Sequence, residues 1–227
     1  MAPRSSQTIV VVTGGDALDA GQLPVLPSDA LVVAADSGID RAHGLGLTVD
    51  VAVGDFDSVT EAGLMDAEAA GARLDRHPEA KDATDLELAL QVALSHSPRR
   101  IVVLGGHGGR LDHLLGNALL LAAPMLAGVE EVVAQMGAAR VTVIRRSATL
   151  EGEPGDIVTL LPVHGPVHGV RTEGLLYPLV DEDLPVGTTR GVSNELSAAS
   201  AVVTVREGTL LAVQPGLAGT HHLRTTS

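Results

Sequence analysis

Apolar residues along this chain fall into two regimes that meet near residue 140. In the first regime short unbroken runs alternate with helical spacing. Ile9–Val12, Ala30–Ala35, Val49–Val53 and Ile101–Leu104 are continuous Val, Ala, Ile and Leu runs, as strands buried on both faces require. Between them, Leu86, Leu90 and Leu94 with Ala89 and Ala93 recur at helical spacing and predict a helix over about 84–95. Ile39–Leu45 predicts a short helix, and a further helix follows Ser58, its expected N-cap, to about Ala70. An apolar helix is predicted from the end of the Gly105–His113 turn to about Ala127.

The second regime begins after Gly128. Glu130–Ala134, Val141–Ile144, Ile157–Leu161, Ala201–Val205 and Leu210–Val213 are short strands separated by Gly, Pro and Asp turns. The expected fold is therefore an α/β N-terminal domain with a mostly parallel, Rossmann-like sheet over 1–140. An all-β antiparallel sandwich over 141–227 follows, with its end frayed from Pro215.

The early strands end in chemistry. Thr13-Gly14-Gly15-Asp16, Asp36-Ser37-Gly38 and Gly54-Asp55-Phe56-Asp57-Ser58 each follow a buried run. Loops after parallel strands share one sheet edge, which brings Asp16, Asp36, Asp55 and Asp57 together where such sheets bind ligands. As local structure, Asp-x-Asp-Ser is a capped turn. As chemistry, it is an all-oxygen site for a hard cation such as Mg²⁺.

Lys81-Asp82-Ala83-Thr84-Asp85-Leu86-Glu87 opens a helix with a Thr84/Glu87 capping box and adds two more carboxylates. Gly105-Gly106-His107-Gly108-Gly109-Arg110-Leu111-Asp112-His113 is a glycine-rich turn into a helix, an anion cradle with a guanidinium beside it. It matches neither a Walker loop nor a dinucleotide fingerprint. The separation of His107 and His113 does not suit zinc, and Asp112-His113 reads either as an acid/base pair or as a salt-bridged helix start. In the β-module, Asn194 reads as a left-handed turn residue and Tyr177 as a packed residue with a tethered hydroxyl.

Composition narrows the field. The 227 residues contain no cysteine, which excludes disulfides and thiolate chemistry. A net charge of −13 argues against nucleic acid and anionic membranes as partners and suits a small cationic substrate. No leader or spanning segment is expected, and the expected location is cytoplasmic. With 1% aromatic content the core is aliphatic. The lone Lys81, the lone Phe56 and the only two asparagines, Asn117 and Asn194, all fall inside or beside the motifs above.

These blocks, with Gly174-Leu175-x-Tyr177-Pro178-Leu179 and Gly191-x-Ser193-Asn194-Glu195, resemble the bacterial thiamine pyrophosphokinase family over nearly the whole chain. Two departures are Ser37, where the family often has Gly, and Gly116, where Ala is usual before Asn117.

The resemblance implies transfer of the terminal diphosphate of ATP to the hydroxyethyl group of thiamine, with Mg²⁺, in a homodimer whose active sites lie between subunits. It assigns Asp55, Asp57, Asp82 and Asp85 to the metal. Thr13, Gly14, Gly15, Asp36, Lys81, Gly108, Gly109 and Arg110 go to ATP and its phosphates, and Ser193, Asn194 and Asp112 to thiamine. Asp57, Asp85, Asp112 and Lys81 form the expected catalytic set. Beyond the resemblance, a primary alcohol is a weak nucleophile, so Asp57 or Asp112 is expected to accept its proton, and Phe56 to hold the two aspartates apart. Two other readings stay open from the residues themselves: a Mg²⁺-dependent nucleotide hydrolase or phosphotransferase, and a thiamine- or nucleotide-binding sensor without turnover.

Overall fold

The computed structural model describes residues 7–19, 21, 23–78 and 82–216; Lys81 and the segment from 217 lie outside them. The chain divides into two compact units, Met1–Gly137 and Ala138–Ser227.

The first unit is a parallel sheet of six strands, β1 (Thr8–Thr13), β2 (Leu31–Ala35), β3 (Val51–Gly54), β4 (Arg73–Arg76), β5 (Arg100–Leu104) and β6 (Glu131–Met136), in the order β4-β3-β2-β1-β5-β6. The chain builds outward from β1 to β4, then returns to the other side of β1. The strand order therefore reverses between β1 and β5, the place where open α/β sheets form a ligand crevice.

Two predictions change here. β4 (Arg73-Leu74-Asp75-Arg76) was not expected, because a partly exposed edge strand carries no apolar run. The run Glu130–Ala134, expected in the antiparallel module, instead pairs parallel with β5 as β6. An apolar run does not reveal its partner's direction.

Four helices connect these strands: α1 (Gly38–Gly44), α2 (Glu61–Ala69), α3 (Asp85–Ser95) and α4 (Leu111–Leu120). The Thr84 hydroxyl accepts from the Glu87 N–H at 3.3 Å, as the capping box predicts. The cap of α2 is Thr60 rather than Ser58. Thr60 Oγ1 accepts from the Gly63 N–H at 3.0 Å, and the Ser58 hydroxyl donates to Asp57 Oδ1 at 2.8 Å. Asp40 on α1 fixes that cap by accepting from both the N–H and the hydroxyl of Thr60. The helix expected to reach Ala127 ends at Leu120, and a short 3₁₀ turn at Pro124–Leu126 follows.

The second unit is antiparallel. Its strands are β7 (Ala139–Ile144), β8 (Ser147–Glu151), β9 (Ile157–Glu173), β10 (Glu182–Leu184), β11 (Asn194–Glu195), β12 (Ser200–Thr204) and β13 (Glu207–Gln214). β9 is far longer than its apolar run. Thr159–Val163 pairs with β13, Arg171–Glu173 pairs with β12, and left-handed His164 lies between. Both halves feed one core through Val158, Leu160, Val167 and Val170. A strand that turns a corner in this way serves both layers of a β-sandwich.

Candidate active site

The carboxyl ends of β1, β2, β3 and β5 surround a cleft of about 510 Å³, within the range of small-molecule sites. Five aspartates reach its wall: Asp16, Asp36, Asp55, Asp57 and Asp85. Ligand atoms of Asp36, Asp55 and Asp57 lie within 4.8 Å of one another, close enough to share one cation.

The backbone creates this convergence. Asp36 follows β2 with φ 47°, Phe56 follows β3 with φ 65°, and Asp36 N–H donates to Val53 O at 2.8 Å. Left-handed residues other than Gly are strained, and such strain concentrates at functional sites. Phe56, 8% exposed, is buried in the aliphatic core on the α1 side of the sheet, so its flanking aspartates are turned outward. The Asp57 N–H donates to Asp55 Oδ1 at 3.2 Å and completes the turn.

Asp36 sits in an unfavourable electrostatic setting. Burial raises its pKa; a hydrogen bond from the Ser37 N–H opposes this, while the charges of Asp85, Asp55 and Asp57 reinforce it. Its Oδ1 is buried and has no hydrogen-bond partner. An unpaired, desolvated carboxylate oxygen beside two further carboxylates is the donor set a hard divalent cation would satisfy, so these residues fit Mg²⁺.

Facing the aspartates is the glycine turn. Neither Gly15 nor Gly105 has room for a side chain: a Cβ on Gly15 would run into His107 O, and one on Gly105 into Thr13 O. These contacts lock the β1 and β5 loops together, with Asp16 N–H donating to His107 O and Gly106 N–H to Gly14 O. Asn117 on α4 donates to Gly106 O at 3.0 Å and steadies the turn. Asn117 thus acts through the loop backbone, a role its rarity hinted at and its motif position did not define.

Thr13, Gly14, Gly15, Gly108, Gly109 and Arg110 all line the cleft. Arg110 is paired with Asp112 through Nη2–Oδ2 and Nε–Oδ1 contacts of 2.6 and 2.9 Å, both side chains being largely exposed. That pairing drives the Asp112 carboxyl well below the usual range. Asp112 does not line the main cleft. It lines an adjoining hollow of about 310 Å³ together with Asp85, Glu87, Leu86 and Leu120.

Asp82 is exposed and does not reach the cleft wall, whereas Asp36, expected on the nucleotide side, clusters with Asp55 and Asp57. Lys81 lies outside the described residues. Residues the sequence reading had not assigned to the site, Ser37, Ser58, His113 and Asn117, also line the cleft. Their signal was position: Ser37, Ser58 and His113 stand inside the motifs, and Asn117 lies one helical turn beyond the glycine-rich one.

Ser193 and Asn194 belong to the second unit. Asn194, 4% exposed, accepts from the N–H groups of Tyr177 and Glu195 and donates to Tyr177 O at 2.7 Å. The left-handed residue is Ser193 (φ 56°), and Tyr177 is 56% exposed rather than packed. The Asn194 amide, not the Tyr177 ring, holds this loop.

Two family models match the chain in order. One, described as the thiamin pyrophosphokinase catalytic domain, matches residues 24–132; the other, its vitamin B1 binding domain, matches residues 143–210. The chain belongs to the thiamine pyrophosphokinase family.

Among members of this family, a thiamine pyrophosphokinase of Bacillus subtilis is 29% identical over 185 residues, 81% of this chain and 86% of that protein. A crystal structure of thiamine pyrophosphokinase from Bacillus subtilis, 28% identical, has a TM-score of 0.79 and covers 92% of this chain and 99% of its own. One from Geobacillus thermodenitrificans, also 28% identical, gives 0.73 over 91% and 96%. The yeast enzyme, at 15% identity and a TM-score of 0.66 over 94% and 87%, shares the fold.

Proposed function

We propose that this chain is a thiamine pyrophosphokinase that transfers the terminal diphosphate of ATP to the hydroxyl of thiamine, giving thiamine diphosphate and AMP. The observation that carries the reading is the opposition, in one cleft, of the Asp36/Asp55/Asp57 cluster to a glycine turn. Phosphoryl transfer needs positioning and charge neutralisation far more than covalent help, and this cleft is built for both.

Asp36, Asp55 and Asp57 would hold Mg²⁺, with Asp85 beside them, and Thr13 to Gly15 with Gly108, Gly109 and Arg110 would seat the phosphates. Bound Mg²⁺ would supply neutralisation of phosphate charge and Lewis acidity. The turn residues contribute close backbone approach, since side chains are excluded at Gly15 and Gly105. Lys81 remains the proposed cation for the transferred phosphates.

The hollow beside α3 and α4 suits thiamine. Its Asp85, Glu87 and Asp112 favour the thiazolium cation, and Leu86 and Leu120 its apolar ring edges. Asp57 is the better proton acceptor of the two candidates. Arg110 keeps Asp112 ionised but deprives it of basicity. Ser193 remains a proposed thiamine contact, and Asn194 would act through the loop it holds.

A homodimer belongs to the same reading. No residue of α4 is buried, and Leu111, Leu115 and Leu119 form a stripe at four-residue spacing that is 66%, 55% and 48% exposed. A second copy covering that stripe would close the substrate hollow next to it. A cytoplasmic location belongs to the same proposal, because the reading needs ATP as co-substrate; among the described residues no helix is long and apolar enough to cross a membrane.

The deciding experiment incubates the protein with ATP, Mg²⁺ and thiamine. AMP and thiamine diphosphate in equal amounts support the reading. ADP or orthophosphate without thiamine diphosphate would overturn it in favour of a nucleotide hydrolase, and tight binding with unchanged ATP in favour of a sensor.

A further inference from the structure

The four α-helices hold four glycines, and three of these have a local reason. A Cβ on Gly38 would run into Val12 O at the start of α1, and one on Gly63 into the Asp40 carboxylate that fixes the α2 cap. Gly44 is the last residue of α1 and interrupts no turn. Gly116 is different. It lies in the middle of α4, its backbone is not left-handed, and a Cβ added to it meets no atom within 4 Å. Glycine in a helix interior weakens the helix relative to alanine. α4 has no buried residue to offset that cost, and no packing contact among the described residues calls for a glycine there.

What the missing side chain leaves is room. His113, Gly116, Asn117 and Leu120 recur at helical spacing and form the α4 wall of the hollow of about 310 Å³, with Gly116 near its centre. The Asn117 side chain does not fill the gap, because its amide is tied to Gly106 O at 3.0 Å. The start of α3, with Leu86 and the Asp85 and Glu87 carboxylates, lines the same hollow. The gap at Gly116 therefore opens into the space whose apolar and acidic groups suit a thiazolium ring.

We propose that Gly116 determines which alcohols the hollow admits, and that this chain accepts a thiazolium alcohol whose ring carries a substituent larger than the methyl group of thiamine. The assignment rests on the hollow being the thiamine site. One carbon more or less in a close-fitting apolar site changes discrimination about tenfold or more. A single Cβ at the centre of the α4 wall is therefore enough to separate the two alcohols.

The test compares kcat/KM for thiamine with that for the analogue bearing ethyl in place of methyl on the thiazolium ring, followed as AMP release. The unmodified protein should use the analogue within about threefold of thiamine. Gly116→Ala should lower the analogue-to-thiamine ratio about tenfold, and Gly116→Ser should lower it similarly. The melting temperature of Gly116→Ala should rise by about 2–4 °C, as for a glycine that the helix does not need. Rejection of the analogue by the unmodified protein, or an unchanged ratio in both variants, overturns the proposal. So does a lower melting temperature of Gly116→Ala, or its conversion from dimer to monomer in light scattering, since either gives the glycine a packing role. Gly116→Leu tests the site itself and should raise KM for thiamine. An unchanged KM in that variant would remove thiamine from the hollow and the proposal with it, whereas a raised KM beside an unchanged ratio in Gly116→Ala defeats the proposal alone.

Discussion

The guanidinium carbon of Arg76 lies 4.9 Å from the centroid of the Phe56 ring. Phe56 holds a left-handed backbone, at a cost of about 1–2 kcal/mol for a residue with a side chain. Burial of its ring and the cation above it offset that strain and set the directions of Asp55 and Asp57. Phe56→Ala should destabilise the protein by about 3 kcal/mol and Arg76→Ala by about 0.5–1 kcal/mol, read by urea unfolding. Phe56→Ala should also weaken Mn²⁺ binding, measured by paramagnetic resonance, because the two aspartates lose their fixed separation.

Asp36→Asn should separate stability from function. Removing a desolvated charge among like charges should raise the melting temperature of the metal-free protein, while AMP formation falls at least about a hundredfold. Scanning calorimetry in EDTA and an AMP assay check the two halves. A lower melting temperature in EDTA would refute the electrostatic account.

Asp57→Asn should abolish turnover with the fold intact, whereas Asp112→Asn should not remove the acidic limb of the rate profile. The Asp112 pKa is depressed by Arg110, so it stays ionised across the working range. Its small stabilising effect is present above its ordinary value of 3.8 and is lost as pH falls through the lower folded value. An AMP assay with a thermal melt on Asp57→Asn, and a pH–rate profile of kcat/KM for thiamine on Asp112→Asn and the unmodified protein, separate the two carboxylates.

Gly105→Ala should cost about 2 kcal/mol or more, because φ is 100° and the new Cβ meets Thr13 O. The Gly105 variant should lose ATP affinity along with stability, since the two loops can no longer close on each other. Urea unfolding and ATP titration of the same sample measure both effects.

In the second unit, Asn194→Ala should lower stability by about 2 kcal/mol by leaving backbone groups of Tyr177 and Glu195 unpaired. Ser193→Ala removes only an exposed hydroxyl and should leave the melting temperature unchanged while raising KM for thiamine. Thermal melts and thiamine titrations of the two variants test this division of labour.

Leu115→Glu places a charge in the centre of the exposed α4 stripe. Light scattering behind size exclusion should show a dimer for the unmodified chain and a monomer for the variant. A monomer in both would remove the interface from α4.

Much of this protein was determined by the sequence alone. Unbroken apolar runs such as Ile9–Val12 and Ile101–Leu104 became buried parallel strands, because a strand covered on both faces has no polar side to write. The Thr84/Glu87 cap and the glycine turn were equally legible, since their chemistry is local. Tertiary structure decided the rest. Pairing direction sent Glu131–Met136 into the parallel sheet, and an edge position made a strand of polar Arg73–Arg76. The carboxylate cluster depends on which strand ends lie side by side. Asp36 follows β2, next to β3, and meets Asp55 and Asp57, while Asp82, nearer to Asp85 in the chain, remains exposed. Residues distant along the chain become neighbours only when the sheet's strand order is set, and carboxylate convergence is a property of that order.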